Sequence, residues 1–168
     1  MKATDLLKQQ HREVEALLKR ALKADDADEH RALCGEIKRA LQLHSSLEEE
    51  IFYPAFRQEA DTKKAAKLVL EAYEEHHVVD LLLNELPDAD PQAESFEAKL
   101  TVLQELVDDH VEEEEEEMFP AAERAFGKDR SEELAEEMRA RADEGGNGGY
   151  EEREAVDDEE MEEADEAR

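Results

Sequence analysis

Six side chains stand out by type and spacing. His44 and Glu48 are four residues apart, and so are His110 and Glu114. On a helix that spacing puts both members of a pair on one face, about 6 Å apart along the axis. Both pairs fall within apolar stripes, and His11 and His76 interrupt two further stripes. A buried carboxylate without a partner is very costly, so two such glutamates among four inward imidazoles need one common explanation. A pair of divalent or trivalent metal ions supplies it. Imidazole suits iron, zinc, copper or nickel, and carboxylates can bridge two ions. A lone histidine on an apolar face is usually a core residue. Two matched arrangements of one histidine followed by HisxxxGlu do not arise that way.

The match extends along the chain. HSSLEEEIFYP at 44–54 lies over HVEEEEEEMFP at 110–120, an offset of 66. QQHREVEALL at 9–18 lies over EEHHVVDLLL at 74–83, an offset of 65. The two halves are therefore related helix pairs. The repeat also selects His76, the counterpart of His11, over its neighbour His77. Pro54 and Pro120 each follow an inward histidine by ten residues. Each removes an amide donor and frees the carbonyl four residues earlier, Glu50 or Glu116, so matched bends are expected just beyond the site.

Four long amphipathic patterns must position these groups, over about 4–23, 28–60, 62–86 and 92–126. Leu7, Val14 and Leu18 continue the stripe of His11. Ile37, Leu41 and Ile51 continue that of His44, Val69, Val79 and Leu83 that of His76, and Leu103, Val107 and Met118 that of His110. ADDAD at 24–28, EADT at 59–62 and PDADP at 87–91 separate them. A shorter helix, about 131–142, follows Gly127. Short connections predict an all-α, up-down-up-down four-helix bundle with an internal two-fold repeat and a short fifth helix. His30, about 21 Å from His44 along a helix, is assigned to the surface, and Cys34 to packing.

The domain is expected to span 1–142. Residues 142–168 carry 13 acidic and 2 basic side chains with GGNGG at 145–149, so 143–168 reads as a disordered acidic tail, a candidate contact for a basic protein partner. The whole chain has a formal charge of −29. That excludes nucleic acid and anionic membrane surfaces as expected partners, because phosphate binding needs a basic face. One cysteine excludes an intramolecular disulfide framework. No apolar run approaches the ~20 residues of a membrane span, and no secretory h-region opens the chain, so a cytoplasmic location is expected. There is no nucleophile elbow, phosphate-cradling glycine loop or CxxC motif.

His11, then His44 with Glu48, Glu49, Phe52 and Pro54, then His76, then His110 with Glu114, Glu115, Phe119 and Pro120, resembles the hemerythrin-like (HHE cation-binding) domain over about residues 4–142. The resemblance implies a bundle around a non-haem pair of iron ions with an oxo or hydroxo bridge. It makes His11, His44, His76 and His110 terminal ligands, and Glu48 and Glu114 bridges. The oxygen-carrying members have a further histidine one turn before the counterpart of His76, where this chain has Ala72. The remaining ligands divide evenly, which would leave each iron an open position for O2, NO, peroxide or water and removes the asymmetry of a carrier. Tyr73, three residues before His76, is expected to hydrogen-bond or ligate there. Glu15 and Asp80, one turn after His11 and His76, are candidate acceptors for imidazole N–H groups. Storage or buffering of iron is a variant of this reading. The alternatives are a ferritin-like di-iron oxidase, disfavoured by ligand type and order, and a metal-free helical interaction module.

Overall fold

The computed structural model describes residues 1–147, and among them every regular element is helical. α1 is Ala3–Lys23, α2 Ala27–Leu47, α3 Tyr53–Ala60, α4 Lys63–Glu85, α5 Glu94–Glu113 and α6 Phe119–Asn147. π turns at Glu48–Phe52 and Glu114–Met118 join α2 to α3 and α5 to α6. Each joined pair is one long rod, so the bundle has the expected four antiparallel rods. Helix starts follow local chemistry. Asp26 accepts from the amides of Asp28 and Glu29, and Thr62 accepts from that of Ala65. Asp61, at φ 41°, reverses the chain after α3. No helix among the described residues is long and apolar enough to cross a membrane.

The two π turns refine the expected proline bends. Pro54 and Pro120 cannot donate to the carbonyl four residues back, and their rings crowd it. The helix widens by one residue instead of simply bending. The amide of Tyr53 bonds the carbonyl of Glu48, and that of Phe119 the carbonyl of Glu114. Both turns begin at an inward glutamate, so the repeat is preserved in backbone conformation as well as in sequence.

Gly127 divides α6 at φ 67°, ψ 179°, a conformation essentially confined to glycine. Beyond it the helix folds back across the end of the bundle, and Leu134, Ala135 and Met138 pack with Ala3, Leu7, Phe52 and Phe126. Ser131 Oγ accepts from the amide of Ala3 (3.2 Å) and donates to Glu123 Oε1 (2.7 Å). Arg141 meets Glu50 at 2.8 Å. This fifth helix is therefore anchored over the first turn of α1 and over α3, and it continues to Asn147, past the expected end near 142. The rest of the acidic segment lies outside the described residues.

The apolar core is in two parts. One gathers Leu7, Leu47, Phe52, Phe56, Val69 and Phe126 with the fifth helix. The other gathers Val14, Leu18, Ile37, Leu83, Leu103 and Val107. A layer of buried polar side chains separates them.

Candidate metal centre

That layer consists of His11, His44, Glu48, His76, His110 and Glu114, all buried. All four rods contribute, α1 and α4 one histidine each, and the two long rods one histidine and one glutamate each. The structure thus brings together all six residues singled out by spacing. Glu48 is 0% exposed and Glu114 2%.

Each imidazole is held from behind through Nδ1. His11 faces Glu115 Oε1 at 2.9 Å, His76 faces Glu49 Oε1 at 2.9 Å, His110 faces Glu75 Oε2 at 2.6 Å, and His44 faces Gln10 Oε1 at 2.9 Å. All four partners are oxygen acceptors, so Nδ1 is the N–H donor in each ring and the lone pair of the neutral ring sits on Nε2. Those Nε2 atoms converge in two facing pairs, His11 with His44 at 3.1 Å and His76 with His110 at 3.2 Å. The glutamates fill the space between. Glu48 Oε1 is 3.2 Å from His44 Nε2 and its Oε2 is 3.3 Å from His76 Nε2, so one carboxylate spans both histidine pairs. Glu114 Oε2 lies 3.2 Å from His11 Nε2 and 3.5 Å from that of His110.

Lone pairs facing lone pairs in a buried layer are repulsive unless a cation lies between them. Glu48 Oε1 and Glu114 Oε2 are buried and accept no hydrogen bond, despite the short approaches of imidazole nitrogens. In the metal-free chain only protons can relieve this. Burial alone would lower the pKa of His76, but hydrogen bonds with Glu48 and Glu49 outweigh it and push His76 up to about 10. His11 and His110 are also raised against the effect of burial, chiefly by Glu114. Burial alone would raise Glu48, but the imidazoles of His44 and His76 hold it well below the usual carboxylate range. The site demands positive charge. Two groups have donor atoms that all lie within 4.8 Å of one another, His11, His44, Glu48 and Glu114 in one, and Glu48, His76 and His110 in the other. Mixed imidazole and carboxylate donors sharing Glu48 suit two adjacent metal ions.

One residue at the centre had escaped the sequence reading. Tyr53 is fully buried, and its hydroxyl lies 2.8 Å from Glu114 Oε1, 3.2 Å from Glu48 Oε2 and 3.4 Å from His76 Nε2. A single hydroxyl proton serves the shorter contact, so Tyr53 donates to Glu114. Burial, and then the negative charges of Glu114 and Glu48, push the phenol well above its ordinary pKa. In an α-helix a residue five after Glu48 would point about 140° away from it. The π turn closes one residue later and brings Tyr53 onto the inward face. Its counterpart in the repeat, Phe119, stacks on His11 at 5.6 Å as Tyr53 stacks on His76 at 5.7 Å.

Three expectations are corrected. The Tyr73 hydroxyl makes its hydrogen bond outside the six groups. The ring packs edge-on against Tyr53 and the hydroxyl donates to the carbonyl of Glu49 at 3.3 Å. Glu15 is exposed and pairs with Lys19, and Asp80 is exposed on α4. Val14 and Val79 take the inward positions beside them, so the imidazole acceptors come from elsewhere. His30 is half-buried, where its ring packs against Phe96 and Nε2 donates to the carbonyl of Ala21. It helps to end α1, away from the centre.

Comparison with known proteins agrees with this geometry. The hemerythrin HHE cation binding domain matches residues 2–122. A crystal structure of a hemerythrin HHE cation binding domain-containing protein from Mycobacterium kansasii superposes with a TM-score of 0.73 at 28% identity, covering 86% of each chain. A protein of Nostoc sp. described as a DNA nickase is 28% identical over 143 residues, covering 83% of this chain but only 39% of the Nostoc protein.

Proposed function

The chain belongs to the hemerythrin HHE cation-binding family, and from that premise we propose that it holds a pair of iron ions and uses them to bind, sense or react with O2, NO or peroxide. The observation that carries the reading is the convergence of four imidazole Nε2 atoms, in two facing pairs, on the carboxylates of Glu48 and Glu114. Bound iron would supply a Lewis-acidic, redox-active centre to which a small ligand can attach.

The chain's own residues do the rest. Nε2 of His11 and His44 would hold one ion, and Nε2 of His76 and His110 the other. Glu48, whose two oxygens already reach both histidine pairs, and Glu114 would join them. Glu115, Gln10, Glu49 and Glu75 fix the ring orientations through Nδ1. Phe52, Phe119 and the two apolar cores pack against the layer from either side. Tyr53 holds a proton beside Glu114, where it can donate a hydrogen bond to a carboxylate or to a small polar ligand.

Buffering of iron uses the same residues and differs only in lacking ligand chemistry. A ferritin-like oxidase is disfavoured because histidines, not glutamates, stand on the single-ligand helices. A metal-free interaction module gives no reason for facing lone pairs and orphaned buried carboxylates. The nickase description belongs to a protein of which this chain spans 39%, and a charge of −29 opposes close approach to DNA. The test is to mix iron-loaded protein separately with O2, NO and hydrogen peroxide and follow the visible absorption. A ligand-specific change with at least one of them is expected. An unchanged spectrum with all three would refute small-ligand chemistry and leave iron buffering.

A further inference from the structure

The four acceptors behind the imidazoles obey the internal repeat, with one break. Glu115 behind His11 corresponds to Glu49 behind His76, carboxylate for carboxylate. The acceptor behind His110 is Glu75, and its counterpart behind His44 is Gln10, in the same place with a neutral amide. The contact is 2.6 Å to the carboxylate of Glu75 and 2.9 Å to the amide of Gln10, and the difference that matters is charge, since a charged acceptor makes the stronger hydrogen bond. A carboxylate pulling on Nδ1–H enriches the lone pair at Nε2, and an amide does so less. Because His44 faces His11 while His110 faces His76, the break falls on one half of the centre only.

We propose that Gln10 makes His44 the weakest imidazole donor and selectively lowers the affinity of the metal position between His11 and His44. This rests on the metal-pair reading. With Glu48 and Glu114 within reach of both histidine pairs, the amide of Gln10 is what makes the two positions differ in hold and in electron density. The ring of Tyr53 stacks on His76 while its hydroxyl donates to Glu114, so Tyr53 touches both halves and leaves the break at Gln10 as the difference in the imidazole acceptors. Gln10 is a positioning and tuning residue that acts through His44.

The test is a zinc titration of the full-length, chelator-stripped protein against a chromophoric competitor, resolving two binding steps. Gln10→Glu is expected to tighten one step by about tenfold, the low end of the usual effect of such partners, and to leave the other within about twofold. Glu75→Gln should weaken the other step by a similar factor. Gln9→Glu is the control, because Gln9 is exposed and bonds to Glu13 rather than to an imidazole, so it adds the same charge without touching the centre. Three results would overturn the proposal. These are a Gln10→Glu shift no larger than that of Gln9→Glu, an equal shift of both steps, or movement of the same step by Gln10→Glu and Glu75→Gln. A wild-type chain that binds fewer than two zinc ions would overturn the metal-pair reading itself and this proposal with it. Two ions bound with Gln10→Glu silent would overturn this proposal alone.

Discussion

Removing the Tyr53 hydroxyl separates the chain's own stability from that conferred by metal. In Tyr53→Phe the ring keeps its shape and its place between Phe52, Tyr73 and His76. What is lost is the donor 2.8 Å from Glu114 Oε1. Glu114 Oε2 already lacks a hydrogen bond, so the variant leaves both oxygens of a buried carboxylate without a hydroxyl or amide donor. A hydrogen bond to a charged group contributes about 1.5–3 kcal/mol, and a domain of this size loses about 2–4 °C of Tm per kcal/mol. The metal-free variant should therefore melt about 3–12 °C below the metal-free wild type. In the loaded protein the carboxylate has cations as partners, and the deficit should fall to about 1 kcal/mol or less. Thermal unfolding of both proteins, each stripped and loaded, gives all four values. A stripped variant that melts with the wild type, or a deficit that is the same with and without metal, would refute this role of the Tyr53 hydroxyl.

Other perturbations probe the scaffold. Gly127→Ala meets no atom within 4 Å, so its cost is conformational and should be about 1–3 kcal/mol by denaturant unfolding. Leu103→Ala, deep in the second core at 0% exposure, should cost about 2–5 kcal/mol. Glu123 ties α1 to the fifth helix by accepting from Thr4 at 2.8 Å and Ser131 at 2.7 Å while pairing with Lys2. Burial would raise its pKa, but these partners outweigh it and lower it. Its contribution is therefore present above the ordinary glutamate pKa and lost as pH falls through the folded value. The stability gap between wild type and Glu123→Gln, measured by denaturant unfolding, should narrow as pH falls below the ordinary glutamate range.

Much of this architecture was legible in the residues because it rests on periodicity. The apolar steps of three and four, the acidic and proline-containing breaks, and the matched offsets gave four rods and six convergent side chains. What was not legible lay in departures from the ideal α-helix and in contacts between rods. Proline at 54 and 120 signals that a hydrogen bond must be lost, but a bend and a widened turn remove the same bond. Without the widened turn Tyr53 projects away from Glu48, and Tyr73 is the more obvious aromatic. The imidazole acceptors cross between helices, as with Glu115 to α1 and Glu49 to α4. The spacing along each histidine's own helix therefore points to Glu15 and Asp80 instead. The signal for Gln10 and Glu75 was in the repeat, where both directly precede the first histidine of their half. At the C-terminal end, Gly145 and Gly146 suggested an earlier stop than the helix makes. Glycine costs about 1 kcal/mol per position in a helix but does not forbid it.

The proposed metal pair rests on the two facing histidine pairs being two metal positions. The most direct test is metal content per chain, by elemental analysis of protein purified without chelator and without added metal, and repeated after iron is supplied. Two ions per chain are expected, with both His44→Ala and His110→Ala reducing the number and lowering the melting temperature of the loaded protein. No bound metal, together with a melting temperature unchanged by added iron, would contradict it.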